Sequence, residues 1–223
     1  MDMTNHKLAY LGGEPIIKQK FKPNNSMGLE ERDAALKVIE TGILSSFIAA
    51  WGEDFSGGEQ VKQFESEWSD YFKIKHAITV NSWTSGLFAM MGAIGVSPGD
   101  EVILPPWTMC ASATSIVMWG GIPIFADIDP RYFCLDPMSV RSNITSKTKA
   151  ILAVDIFGQS SPIKELREIA DENNFWLLSD SAQAPGSLYH GTHTGTETDI
   201  GGFSLNYHKH IHNHMTLDRD LQG

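Results

Sequence analysis

Apolar positions along the chain change period several times, and each change marks an element. Val61, Phe64, Trp68, Tyr71 and Phe72 recur at helical spacing between Gly57-Gly58 and Lys73, which predicts an amphipathic helix. The apolar run Ala77 to Val80 then predicts a strand, and Leu87, Met90, Met91 and Ile94 mark a second helix face that closes at Gly95. Val102 to Leu104, Ile122 to Ala126, Ala150 to Phe157, Phe175 to Leu178 and Ile200 to Leu205 predict further strands. Helical stretches near Met109 to Trp119 and Ile163 to Glu172 lie between them, with Ser161 as N-cap and Pro162 as first helical residue of the latter. Short apolar runs alternating with helices are the mark of βα units. The expected fold class is therefore α/β, with a mostly parallel sheet flanked by helices.

Residues 1–56 follow no such rhythm. Gly42 to Phe55 mixes small, aromatic and acidic residues, so an active-site loop and a plain surface connection are both open readings there.

Composition narrows the function classes. With 223 residues and 42% apolar content the chain can bury a substantial core, while a formal net charge of −10 opposes wrapping a nucleic-acid backbone. Cys110 and Cys134 are the only cysteines and have no paired spacing, so neither a disulfide framework nor a cysteine zinc site is expected. Met1 to Lys20 lacks the apolar core of a signal peptide, and no stretch reaches transmembrane length. A cytoplasmic protein without membrane partners is the expectation.

Candidate chemistry gathers where expected strands give way to helices, the edge of a parallel sheet where ligands bind. Asn81-Ser82-Trp83-Thr84 offers backbone N–H groups and a hydroxyl at a helix start; it could hold a phosphate or be an ordinary N-cap. Pro105-Pro106-Trp107-Thr108 fixes a turn whose indole either stacks on a ligand or is buried in the core. Asp180, at the end of an apolar run and ahead of Gln183, could pair with a protonated ring nitrogen or cap the following segment. Lys209 follows the last strand; most lysines are solvated charges, and one serves as a covalent catalyst only in special surroundings.

The order of these pieces resembles the DegT/DnrJ/EryC1/StrS family of sugar aminotransferases that use pyridoxal 5′-phosphate (PLP). The carrying segments are Val61 to Glu65, Gly95 to Val102, Asp127-Ile128-Asp129-Pro130, Leu135-Asp136-Pro137, Thr148 to Ile151 and Asp180-Ser181-Ala182-Gln183, ending near His212. The resemblance implies the large domain of a fold type I aminotransferase over residues 57–212, with 1–56 as an N-terminal segment and 213–223 as a divergent tail. By resemblance, Trp83 and Thr84 fall on the phosphate turn, Trp107 on the aromatic over the pyridine ring, and Ser204 on a further phosphate ligand. Asp180 falls on the pyridine nitrogen, Gln183 near the ring hydroxyl, and Lys209 on the Schiff-base lysine. Asp180 and Lys209 are thus the expected catalytic pair.

The implied reaction moves an amino group from an amino acid, glutamate by analogy, to a keto group on a nucleotide-linked sugar in polysaccharide or amino-sugar biosynthesis, with the complete protein a homodimer. Some family members carry histidine at the lysine position and are dehydratases; counting from Ser204 places Lys209 there, between His208 and His210. The chain departs from the pattern in two places. Trp83 stands where the family usually has glycine, and after Lys209 the chain reads Asn213 to Asp220 in place of a Gly-Glu-Gly-Gly run. The small C-terminal domain is then missing, and a truncated or frameshifted product of low turnover is the expectation. Two other classes compete: a non-catalytic PLP-holding partner of a full-length relative, and a metal module on His208, His210, His212 and His214, whose spacing would line one face of a strand.

Overall fold

The structure is a computed structural model and describes residues 7–20, 27–47, 50–52, 55 and 57–211. The chain divides into two compact units, residues 1–44 and 45–223. The first contains helix α1 (Leu29–Thr41), which the sequence reading did not anticipate. It forms on local grounds: Glu31 accepts a hydrogen bond from the Gly28 N–H at 2.7 Å, and Glu30 and Glu31 lie in the first turn, where the helix dipole favours negative charge. None of its residues is buried.

Among the described residues, the second unit is built on a five-stranded sheet in the order β2-β1-β3-β4-β7, with every pairing parallel. The strands are β1 (Glu101–Leu104), β2 (Ile122–Phe125), β3 (Thr148–Val154), β4 (Trp176–Asp180) and β7 (Ile200–Gly202); β5 (Leu188–Tyr189) and β6 (Thr192–His193) form a separate antiparallel pair. Strand side chains alternate between two cores. Val102, Leu104, Ala150, Leu152 and Leu178 pack with residues of α3 (Trp83–Ala93) and α4 (Cys110–Val117). Ile103, Ile151, Ala153 and Leu177 face α5 (Pro137–Ser142) and α6 (Ile163–Asn173). Both sheet faces are thus covered, which is why the strands read as continuous apolar runs. The expected α/β architecture, a parallel sheet flanked by helices, is the one observed.

Helix α2 (Glu59–Phe72) lays Phe64, Trp68 and Phe72 in an aromatic ladder that continues onto Phe203, just after β7. Tyr71, expected on that face, is 63% exposed. On α3 all four expected face residues, Leu87, Met90, Met91 and Ile94, are buried.

Four expectations need correction. The strand expected over Ile200 to Leu205 ends at Gly202. Ala77 to Val80 pairs with no strand among the described residues: the Thr79 N–H and hydroxyl both donate to Glu65 Oε1 of α2, at 2.7 and 2.8 Å, so a side chain takes the place of a neighbouring strand. Ser161 does not cap α6. Its N–H and hydroxyl are spent on Asp155 and the Val154 carbonyl, and Pro162 takes the cap position. The strand expected to run from Ala150 through Phe157 stops at Val154, because the next residue, Asp155, turns inward and is itself a hydrogen-bonding hub.

Candidate active site

Because the strands are parallel, their C-terminal ends share one edge, and the chain leaving each strand delivers candidate residues there. Asp180 is the last residue of β4 and is 6% exposed. Its Oδ1 accepts from Trp83 Nε1 at 2.7 Å and from the Ala182 N–H at 3.3 Å; its Oδ2 accepts from the Ser112 hydroxyl at 2.7 Å. Ser112 is wholly buried on α4, and its Oγ lies 2.8 Å from the Thr108 hydroxyl. A carboxylate only accepts, so Ser112 spends its proton on Asp180, and Thr108 must be the donor to Ser112. A polarised relay therefore runs from Thr108 through Ser112 to Asp180. Of the two sequence readings of Asp180, the structure shows the capping one, in the bond from the Ala182 N–H.

Helix α3 begins beside it. The Ser82 side chain accepts from the Ser85 N–H at 3.1 Å, and the Ser82 carbonyl accepts from Gly86 N–H, so both are ordinary cap bonds. The backbone N–H groups of Trp83 and Thr84 and the Thr84 hydroxyl have no partner among the described residues. They form a small set of donors at the positive end of the helix. The Trp83 side chain leaves that turn and reaches Asp180, so the residue contributes its backbone to one place and its indole to another.

Trp107 is 50% exposed beyond β1, which removes the reading of a buried core tryptophan. Its ring meets Phe133 edge-on at 5.1 Å, and Phe133 meets Phe157 at 6.2 Å. Both phenylalanines have positive φ, 64° and 57°, a conformation that costs a residue with a side chain about 1–2 kcal/mol. Phe157 is held by Gln183, whose Oε1 accepts its N–H at 2.8 Å. Gln183 therefore braces the loop after β3.

Beyond β7, which pairs Gly202 with Asp180, Ser204 is buried and Lys209 is half-buried in a turn closed by its N–H donating to the Asn206 carbonyl at 2.8 Å. Among the described residues, no carboxylate forms an ion pair with Lys209. The structure thus brings Trp83 and Asp180 into contact, with Thr84 next to Trp83 at the start of α3, and sets Trp107, Gln183 and Ser204 on segments leaving the sheet edge, without a hydrogen bond from Lys209 to any of them. His208 and His210 lie in this turn and not on a strand, so the face their spacing predicted does not form; His212 and His214 lie outside the described residues. No metal-holding group of His, Cys, Asp or Glu occurs among the described residues.

Sequence reading passed over Ser112, Thr108 and Asp155. Asp155 carried the same signal as Asp180, an acid closing an apolar strand. It is 1% exposed and accepts from Ser161 N–H at 2.7 Å and the Ser181 hydroxyl at 2.6 Å. Burial pushes its carboxyl above the ordinary aspartate range, against the lowering effect of these donors, and the neighbouring Asp180 adds to the rise. The buried Cys134 thiol is pushed up to about 11 by desolvation and then by Asp155, so it is an inert core thiol.

The raised Asp155 has a consequence for stability. The folded chain binds its proton more tightly than the unfolded chain does. Its contribution is therefore complete below the ordinary value of 3.8 and lost as pH rises through the elevated one. Asp155→Asn should show a shallower fall in unfolding free energy from acid to neutral pH than the parent, measured by urea titration at several pH values. Parallel curves would contradict this.

The donor set suits a phosphorylated heteroaromatic ring with a basic nitrogen. Free N–H groups and the Thr84 hydroxyl suit the phosphate, the half-exposed indole of Trp107 the ring face, and the buried Asp180 carboxylate a ring N–H.

Known proteins resemble the chain over this region. It is 39% identical to the GDP-perosamine synthase of Vibrio cholerae over 150 residues, 67% of this chain and 41% of that protein. It is 40% identical to the L-glutamine:2-deoxy-scyllo-inosose aminotransferase of Streptomyces kanamyceticus over 210 residues, 94% of this chain and 48% of that one. Among solved structures, the E. coli GDP-4-keto-6-deoxy-D-mannose-3-dehydratase with bound hydrated PLP superposes with a TM-score of 0.76 at 26% identity, covering 85% of this chain and 47% of that chain. The chain spans about half the length of the relatives it matches. Residues 47–214 match the DegT/DnrJ/EryC1/StrS aminotransferase family, a span opening ahead of the Val61 segment that first suggested the resemblance, and the chain belongs to that family.

Proposed function

We propose that this chain is the cofactor-binding part of a PLP-dependent aminotransferase that moves an amino group from an amino acid to a nucleotide-linked keto-sugar. The observation that carries the reading is the buried Asp180 carboxylate, held by Trp83 and Ser112 at the sheet edge where the free donors of α3 and the Trp107 ring also lie. Bound there, PLP supplies an electron sink for the carbon that loses its proton. The chain's own residues do the rest. Asp180 accepts the ring N–H and keeps that nitrogen charged, while Thr84, the turn N–H groups and Ser204 hold the phosphate. Trp107 would lie against the ring, and Lys209 would hold the cofactor and serve as base and acid for the proton.

The likeness to a GDP-perosamine synthase supports a nucleotide-sugar acceptor, while glutamate as donor rests on analogy with the family. A second reading has its own support: the relative matching 94% of the chain is named for L-glutamine and a cyclic ketone that carries no nucleotide. The dehydratase likeness supports a third chemistry only if histidine replaces the lysine, and Lys209 stands in that position here. The complete protein is proposed to act as a homodimer in the cytoplasm. The test has two parts. Incubating the chain with PLP, reducing with borohydride and mapping the peptides should place the pyridoxyl group on Lys209. The full-length protein should then be assayed with glutamate or glutamine against GDP-keto-sugars and inososes. A folded chain that takes up no pyridoxyl group would sink the proposal.

A further inference from the structure

We propose, on the reading of this edge as a PLP site, that Trp83 is a positioning residue: its indole N–H fixes the Asp180 carboxylate so that the acceptor site left for the ring nitrogen lies on Oδ2. The hydrogen-bond inventory leads there. A carboxylate offers about four acceptor sites, two on each oxygen. Oδ1 is filled by Trp83 Nε1 and the Ala182 N–H, whereas Oδ2 receives only Ser112. One site remains, and it is on Oδ2.

The indole is seated for this purpose by the residues around it. A Cβ on Gly202 would lie 2.0 Å from Trp83 Cζ3, and one on Gly86 would lie 2.6 Å from Cε3. Only the absence of side chains at Gly202 on β7 and at Gly86 on the next turn of α3 leaves room for the ring. Indole N–H is a donor that neither rotates away nor titrates, unlike the Ser112 hydroxyl on the other oxygen. Trp83 is also the first residue of α3, whose free N–H groups form the phosphate turn. One residue therefore ties the turn to the carboxylate, and a shift of the helix start moves both. This role is separate from the phosphate contact expected of Trp83 from the sequence, which concerns its backbone.

The test combines a spectroscopic signature with a double-variant cycle. The chain holds six tryptophans, so the ¹⁵N-labelled, PLP-free protein gives a small set of indole N–H signals, and Trp83's is assignable through bonds. Asp180→Asn should move that signal upfield and leave the others in place. PLP dissociation constants are then measured for the parent, Trp83→Phe, Asp180→Asn and the double variant. Trp83→Phe alone should weaken binding by about tenfold, the usual scale for one hydrogen bond to a charged group. The double variant should bind no more weakly than Asp180→Asn, because Trp83 acts through Asp180. Should Trp83→Phe fail to fold, the indole signal in Asp180→Asn decides alone. An unmoved signal, or losses that add in the double variant, would overturn the role while leaving the cofactor site intact. A parent that binds no PLP would overturn the cofactor reading and the role with it, even if the signal moves.

Discussion

Lys209→Ala is expected to abolish covalent capture of PLP while leaving the chain folded. The residue sits beyond β7 in a turn held by backbone hydrogen bonding, half-buried and without an ion pair among the described residues. Truncating it removes no core contact, so the change in unfolding free energy should stay within about 0.5 kcal/mol. Covalent labelling, by contrast, requires this amine and should go from complete to absent. Borohydride reduction followed by intact-mass measurement gives the answer as a mass shift present in the parent and missing in the variant. Persistent labelling of the variant would move the site to another lysine.

Gly202→Ala is expected to destabilise this edge strongly. The new Cβ would lie 2.0 Å from the Trp83 ring, far inside van der Waals contact, and the ring is a rigid bicycle with no flexible end to give way. Overpacking of this kind costs about 1–3 kcal/mol when neighbours can shift. Here the shift must carry the indole off Asp180 Oδ1 or push β7 away from its pairing with β4. A lowered urea midpoint with an unchanged denaturant slope is the expected result. Stability equal to the parent's would mean that the indole is seated elsewhere.

The two predictions act on residues of different legibility. Lys209 and Asp180 were readable as candidates because each closes or follows an apolar strand in an order that a known family shares. The strands were readable because a sheet covered on both faces admits almost no polar residue, and Val102 to Leu104 and Leu177 to Leu178 are all fully buried. Ala77 to Val80 misled for the same reason: its composition is that of a strand, yet whether such a segment joins a sheet depends on a partner, and Glu65 bonds to Thr79 instead. Helix α1 was missed because its stability is local, with none of its residues buried and no strong apolar face to betray it. The Trp83–Asp180 bond joins residues 97 positions apart, and no local pattern encodes such a contact. What the sequence did show was the anomaly itself, a tryptophan where the family usually has glycine. The glycine that compensates, Gly202, lies on a different element and could be linked to it only once the sheet was assembled.

The all-parallel sheet also governs how the chain reaches its native state. Among the described residues no pair of neighbouring strands in it is joined by a hairpin; each pairing is separated in sequence by a crossover, and β2 lies in sequence between β1 and its neighbour β3. Chains dominated by such non-local contacts refold slowly, since the entropy of closing each loop is lost before the contact repays it. During that interval the apolar strands are unpaired, so nascent or diluted chains compete between intramolecular pairing and association with one another. Recovery of soluble protein after refolding should therefore fall steeply with protein concentration, and the yield-limiting event is the race among strands rather than the stability of the finished sheet.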